Sequence, residues 1–316
     1  MNLYDAHQHF HFAQLTPHRA TIDADLRRIG VRAAVVNGTN EDEWPVVAQL
    51  ARDHDWVVPS FGIHPWDCGN RSPDWLAKLR ATLLAHPLPG DGQDKHRAGS
   101  PAAAKAARLV PVGQQAGTGS QQRCIAHVGE IGLDRWIIDG LKPDDPRLAG
   151  LRVAPLAEQT EVFAAQLALS AELARAASIH CVQAWGALHD VLKKSPRPAC
   201  GFLLHGYAGP AEMIKNFTDL GAYYSFNIQL LEPRHKSRLN NFRHIPAKRL
   251  LVETDAPTKP PAGDRNRFPL LPAPDGSPVN HPANIAVAYE QLAKLRGVPL
   301  ESLAPQVEQN FRRLFG

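Results

Sequence analysis

Cysteine is scarce in this chain, with four residues at 68, 124, 181 and 200 and no CxxC spacing among them. That excludes a zinc ribbon and a disulfide framework, and leaves four reduced thiols as the plain reading. No apolar run approaches the roughly 20 residues needed to span a bilayer. The first residues, Met1-Asn2-Leu3-Tyr4-Asp5-Ala6-His7, turn polar at once and lack the apolar core of a secretory signal. A cytoplasmic protein with no membrane partner is expected. Charge of one sign is also lacking: 35 Lys and Arg against 31 Asp and Glu give a net +4, which permits an anionic partner without demanding one. What is abundant is histidine, 15 residues in all, so their positions become the question.

At 316 residues, with 44% hydrophobic and 21% charged side chains, the chain has the length and balance of a folded globular protein. Short apolar or β-branched runs recur at 3–6, 33–36, 57–61, 125–128, 177–180, 201–205, 222–226 and 249–252. Between them, residues 43–54, 73–85, 158–176, 184–194 and 210–220 carry apolar side chains at helical spacing, and a last helix over 282–296 follows a Pro-rich turn. Strands alternating with helices predict βαβ units on a parallel sheet, and about eight of them in one chain predict an α/β fold of the (β/α)8 TIM-barrel type. A single catalytic domain over 1–316 is expected. Residues 87–122, rich in Gly, Ala, Pro, Ser and Gln, read as a poorly ordered surface insertion, and 256–282 as an extended loop at the barrel's active face.

On that frame the histidines and acids fall at strand ends. The first strand ends in Asp5-Ala6-His7-Gln8-His9, and alternate residues of an extended segment point to one side, so His7 and His9 can reach one metal ion. The third ends near His64, the fourth in Gly129-Glu130-Ile131-Gly132-Leu133-Asp134, the fifth at His180, the sixth at His205 and the eighth in Glu253-Thr254-Asp255. Any one of these could be a core histidine or a structural ion pair. Six of eight strands finishing this way, on the face where barrel enzymes build their sites, points instead to one constellation. Four neutral imidazoles with two or three carboxylates suit Zn²⁺, Mn²⁺ or similar ions. The set exceeds what one tetrahedral ion needs, whereas a carboxylate-bridged pair of ions accommodates it.

The ordered motifs DAHQHF at 5–10, GIHPWD at 62–67, GEIGLD at 129–134, IHCVQAW at 179–185, LLHGYAG at 203–209 and ETDAP at 253–257 resemble the TatD-like metal-dependent deoxyribonucleases of the amidohydrolase superfamily. The resemblance covers nearly the whole chain apart from 87–122. It implies two divalent metal ions per chain (Mg²⁺, Mn²⁺ or Zn²⁺), one held by His7, His9 and Asp255 and the other by His180 and His205, with Glu130 bridging. It further implies His64 at the scissile phosphate, Asp255 orienting a metal-activated water and taking its proton, and nucleic-acid ends as substrate. A monomer is expected.

Two departures stand out. Where the family places a small residue, Arg and an acid after the fifth-strand histidine, this chain has Cys181, Val182 and Gln183; where it has R-N-E-P before a late helix, this chain has Val279-Asn280-His281-Pro282. Both resemble a subgroup similar to the fungal Cut9-interacting protein. They leave two alternatives beside a nuclease: a two-metal hydrolase of a small ester or amide, and a partner-binding homologue with weak catalysis. Arg135, Arg234, Lys236, Arg238, Lys259, Arg265 and Arg267 are candidate basic contacts at the mouth, and Trp66, Trp136 and Trp185 candidate stacking residues.

Overall fold

A computed structural model describes residues 1–86, 125–258 and 260–316. The expected insertion at 87–122, Cys124 and Lys259 lie outside these residues. Eight strands form one parallel sheet in the order β1 to β8: Leu3–Gln8, Val31–Gly38, Val57–Phe61, His127–Asp134, Ala177–Val182, Phe202–Leu204, Ala222–Asn227 and Leu250–Glu253. Every sequential pair is hydrogen-bonded in parallel. The sheet curls until β8 meets β1: Asp255 N–H donates to the His7 carbonyl at 3.0 Å and His9 N–H to the Ala256 carbonyl at 2.7 Å. This is the predicted (β/α)8 barrel.

The strands read as near-continuous apolar runs because both of their faces are covered, by the barrel interior on one side and by helices on the other. Strands such as AYYSFN and LLVE are accordingly buried along their whole length, with no solvent-facing alternate positions. The helices are α1 Arg19–Ile29, α2 Trp44–Asp53, α3 Trp75–Leu84, α4 Trp136–Asp139, α5 Leu156–Glu172, α6 Trp185–Lys194, α7 Met213–Asp219, α8 Lys236–Asn241, α9 Ile285–Arg296 and α10 Leu300–Phe315. In α10 the buried residues Leu303, Val307, Phe311 and Leu314 fall on one stripe at helical spacing, and Phe311 packs on Tyr4 of β1 with ring centroids 4.9 Å apart. Its end meets β4, where His127 Nε2 donates to the Phe315 carbonyl at 3.0 Å. Among the described residues, no helix is long and apolar enough to cross a membrane.

The fourth strand differs most from expectation. It runs past the apolar run at 125–128 to Asp134 and carries Glu130 within it. Gly132 makes this possible: its φ is 144°, and a Cβ there would stand 2.0 Å from the His180 carbonyl oxygen on β5. Helix α1 escaped the sequence reading because only Ile22 and Leu26 of its eleven residues are buried.

A candidate dinuclear metal centre

The C-terminal ends of the strands open into a cleft of about 310 Å³ lined by His9, His64, Glu130, His180, His205 and Asp255, with Phe12, Thr39, Trp66, Asp67 and Thr258 around them. His7 lies fully buried against Glu130 beneath it. All seven residues singled out in the sequence therefore converge. Their geometry is organised by one carboxylate. Glu130 turns Oε2 toward His7 Nε2 and His9 Nε2, each at 3.3 Å. Its other oxygen, Oε1, faces His180 Nδ1 and His205 Nε2 at 2.9 Å each, and His64 Nε2 at 3.4 Å. Asp255 Oδ1 stands 3.6 Å from His9 Nε2.

These atoms form three clusters, each with ligand atoms within 4.8 Å of one another: His7, His9 and Glu130; His7, His205 and Asp255; and His64, Glu130 and His180. His205 stands between the two sides, its ring stacked on His7 at 3.9 Å while its Nε2 lies 3.2 Å from His180 Nδ1.

Four of the five imidazoles, His7, His9, His64 and His180, are hydrogen-bonded on the nitrogen that faces away from Glu130, and His205 has the Glu253 carboxylate near its own. His9 Nδ1 donates to the Asn37 carbonyl at 2.8 Å, which leaves Nε2 as a lone pair aimed into the cleft. His180 is turned the other way round: Nε2 donates to Asp134 Oδ2 at 3.1 Å, so Nδ1 faces Glu130. Ser178 Oγ meets His7 Nδ1 at 2.9 Å, and Glu253 Oε1 lies 3.6 Å from His205 Nδ1. Trp66 N–H donates to His64 Nδ1 at 3.2 Å, so the His64 Nε2 nitrogen carries the proton and points at the cleft as a donor. Such outer partners fix ring orientation and raise ligand basicity.

The electrostatics follow from this packing. Burial would push the Glu130 carboxyl up, but the imidazoles of His205, His64 and His7 outweigh it and hold the group well below its ordinary value. Burial would lower His180, yet its bonds to Asp134 and Glu130 raise it to about 9. Burial lowers His64 from its ordinary value. A charged carboxylate ringed by oriented imidazole nitrogens is a donor set that fits divalent cations.

Sequence reasoning assigned no role to Asp134, Glu253, Ser178 or Asn37, the residues that hold the histidines. Asp134 and Glu253 stand in the motifs GEIGLD and ETDAP; Ser178 and Asn37 are ordinary polar residues in strands, and only the closed barrel shows which way they face. Glu253 is fully buried, accepts hydrogen bonds from Ser225 and Asn227, and is kept ionised against its burial by His205.

The other candidates divide. Trp66 lines the cleft, with Trp136 behind it at 6.1 Å. Trp185 instead packs on Tyr207 at 4.9 Å and on Phe217. Arg135, Arg234 and Arg267 pair with Asp139, Glu232 and Glu290, and Arg238 leans on His235. None of the basic candidates is among the described residues that line the cleft.

Known proteins are similar to this chain in sequence and in fold. The Cut9-interacting protein scn1 of Schizosaccharomyces pombe is 28% identical over 73% of this chain and 81% of its own length. A 3'-5' ssDNA/RNA exonuclease TatD from Pantoea ananatis is 26% identical over 96% of this chain and 95% of its own. The uncharacterized metal-dependent hydrolase YabD of Bacillus subtilis is 24% identical over 99% of this chain and 98% of its own. The crystal structure of YJJV, a TatD homologue of Escherichia coli, superposes with a TM-score of 0.74 at 21% identity, covering 99% of this chain and 97% of that one, and so shares the fold. The family model for TatD related DNase matches residues 4–316. The resemblance carried by the six motifs thus holds along the described chain, and the protein belongs to the TatD related DNase family.

Proposed function

We propose that this chain is a divalent-metal-dependent phosphodiesterase that acts on the ends of nucleic acids. The observation that carries the reading is the division of Glu130 between two imidazole sets, one on each carboxylate oxygen. A carboxylate with nitrogen donors at both of its oxygens suits a two-ion hydrolase, and the relatives named as exonucleases and metal-dependent hydrolases support the same chemistry. His7, His9 and Asp255 would hold one ion and His180 and His205 the other, with Glu130 shared; the imidazole-rich set favours Zn²⁺ or Mn²⁺ over Mg²⁺. Such ions make a water nucleophilic near neutral pH and stabilise charge on the attacking and leaving oxygens.

The chain's own residues do the rest. Asp255, whose Oδ2 is held by Thr258 Oγ1 at 2.8 Å, presents Oδ1 to the cleft, where it orients the attacking water and takes its proton. The His64 Nε2–H, fixed by the bond from Trp66 N–H to its other nitrogen, donates to a phosphate oxygen. Asp134 and Glu253 keep His180 and His205 turned toward Glu130 as substrate binds.

The test is to load the protein separately with Mn²⁺, Zn²⁺ and Mg²⁺ and incubate it with end-labelled single- and double-stranded oligonucleotides, with small carboxylic esters as controls. Release of nucleotides from the ends is expected with at least one ion. No release with any ion refutes the reading, and turnover of the esters alone moves it to the small-substrate alternative.

A further inference from the structure

The cleft presents two aromatic rings beside the metal-ligand candidates and no Lys or Arg among the described residues lining it. Phe12 lies face to face with the His9 ring at 4.7 Å and 12°. Trp66 sits by His64, centroids 6.4 Å apart, and His64 in turn abuts His180 at 4.5 Å. Phe12 therefore borders the His9 side of Glu130 and Trp66 the His180 side. Both are only partly buried.

Trp66 is held in place. Its indole N–H donates to Asp134 Oδ2 at 2.8 Å, the same oxygen that accepts from His180. Trp136 backs it, and Trp136 is itself covered by the Arg147 guanidinium at 4.9 Å and packed so tightly against Gly140 that a Cβ there would stand 2.0 Å from the indole. A large ring that keeps cleft exposure while its edge is bonded and its back supported is preorganised to receive another ring.

We infer that Trp66 and Phe12 are stacking contacts for the nucleobases on the two sides of the scissile phosphodiester. The inference rests on the phosphodiesterase reading above and adds to it the residues that bind the nucleoside. Among the described residues no cationic side chain lines the cleft, and Val182 stands where the family places an arginine, so on the described walls the two rings are the large surfaces offered to the substrate beyond the ligand candidates. Base stacking is tolerant of sequence, because every base has a π face, and it requires bases that are free of a duplex.

The test compares two substrates on the Mn²⁺-loaded full chain: an oligothymidylate and a tetrahydrofuran phosphodiester oligomer of the same length, which has the backbone without bases. Stacking predicts a KM for the wild type about 10-fold lower on the oligothymidylate, the equivalent of about 1.4 kcal/mol. Trp66→Ala and Phe12→Ala should each narrow that gap, and Trp66→Phe should keep most of it even though it loses the bond to Asp134. No gap in the wild type, a gap unchanged in both alanine variants, or KM rising equally on both substrates would overturn the inference. If the wild type hydrolyses neither oligomer, the phosphodiesterase reading fails and binding alone decides the stacking. Anisotropy of a labelled oligothymidylate in EDTA should then show tighter binding to the wild type than to the alanine variants; equal binding overturns it.

Discussion

A carboxylate taken out of water costs several kcal/mol unless charge or hydrogen bonds meet it, and five imidazoles meet Glu130. The same logic reaches one layer outward, where Asp134 joins His180, Trp66 and the Ile137 N–H of the helical turn that follows β4. Asp134→Asn keeps the shape, removes the charge and leaves one acceptor oxygen for the three N–H groups that Asp134 serves, so the hold that turns His180 Nδ1 inward weakens. A loss of about 10- to 100-fold in metal affinity is expected, measured by competition with a chromophoric chelator. A second histidine is buried away from the cleft for a structural purpose. His281 Nδ1 accepts the Ala283 N–H at 2.9 Å and caps the turn that leads into α9, with Nε2 facing Asp25 at 3.3 Å. Burial lowers it from the ordinary 6.5 to about 4. A depressed folded value means that its contribution to stability is complete above pH 6.5 and is lost as pH falls toward 4, because the unfolded chain takes the proton first. His281→Asn retains a capping acceptor without the titration. Its Tm should therefore fall less steeply between pH 6.5 and 4 than that of the wild type, by scanning calorimetry in matched buffers.

At the scale of elements, the strands were legible because their apolar runs are continuous and their chemistry-bearing residues lie at the ends. Leu3–Gln8 and Ala177–Val182 read directly as strands that carry a ligand candidate, His7 or His180, near their C-terminal ends. What could not be read was the length of β4, since Gly129 and Gly132 look like turn residues; the close approach of β5 gives Gly132 its role. Helix α8 carries too few buried positions for periodicity to show. The outer partners of the histidines were hidden for another reason: a serine or asparagine on a strand has no signature until the barrel closes. Gly132→Ala tests the β4–β5 contact. A methyl group 2.0 Å from the His180 carbonyl, at a φ of 144°, cannot be accommodated without moving one strand. The substitution should destabilise the protein by about 3 kcal/mol or more in urea unfolding, and should reduce metal uptake because His180 and Glu130 move apart.

For the whole molecule, the ring of hydrogen-bonded strands from β1 round to β8, sealed where Asp255 and His9 bond across the seam, ties every ligand candidate to one scaffold. Residues 7 and 255 lie far apart in sequence and adjacent in the fold, so the centre exists only when the barrel is closed. Binding of a divalent ion should therefore stabilise the folded chain as a unit: at about 100 times its Kd an ion adds about 2.7 kcal/mol. A single unfolding transition that moves to higher temperature with Mn²⁺ or Zn²⁺ is expected in calorimetry, and two separable transitions would contradict a single domain. The most direct measurement of the central claim joins metal content to turnover in Glu130→Ala. Wild-type protein reconstituted with Mn²⁺ or Zn²⁺ should retain two ions per chain by mass spectrometry of the metals and release nucleotides from oligonucleotide ends. Glu130→Ala should keep its circular dichroism, lose most of the bound metal and all detectable hydrolysis; a variant that holds both ions and turns over like the wild type would contradict the bridging role of Glu130 and the account built on it.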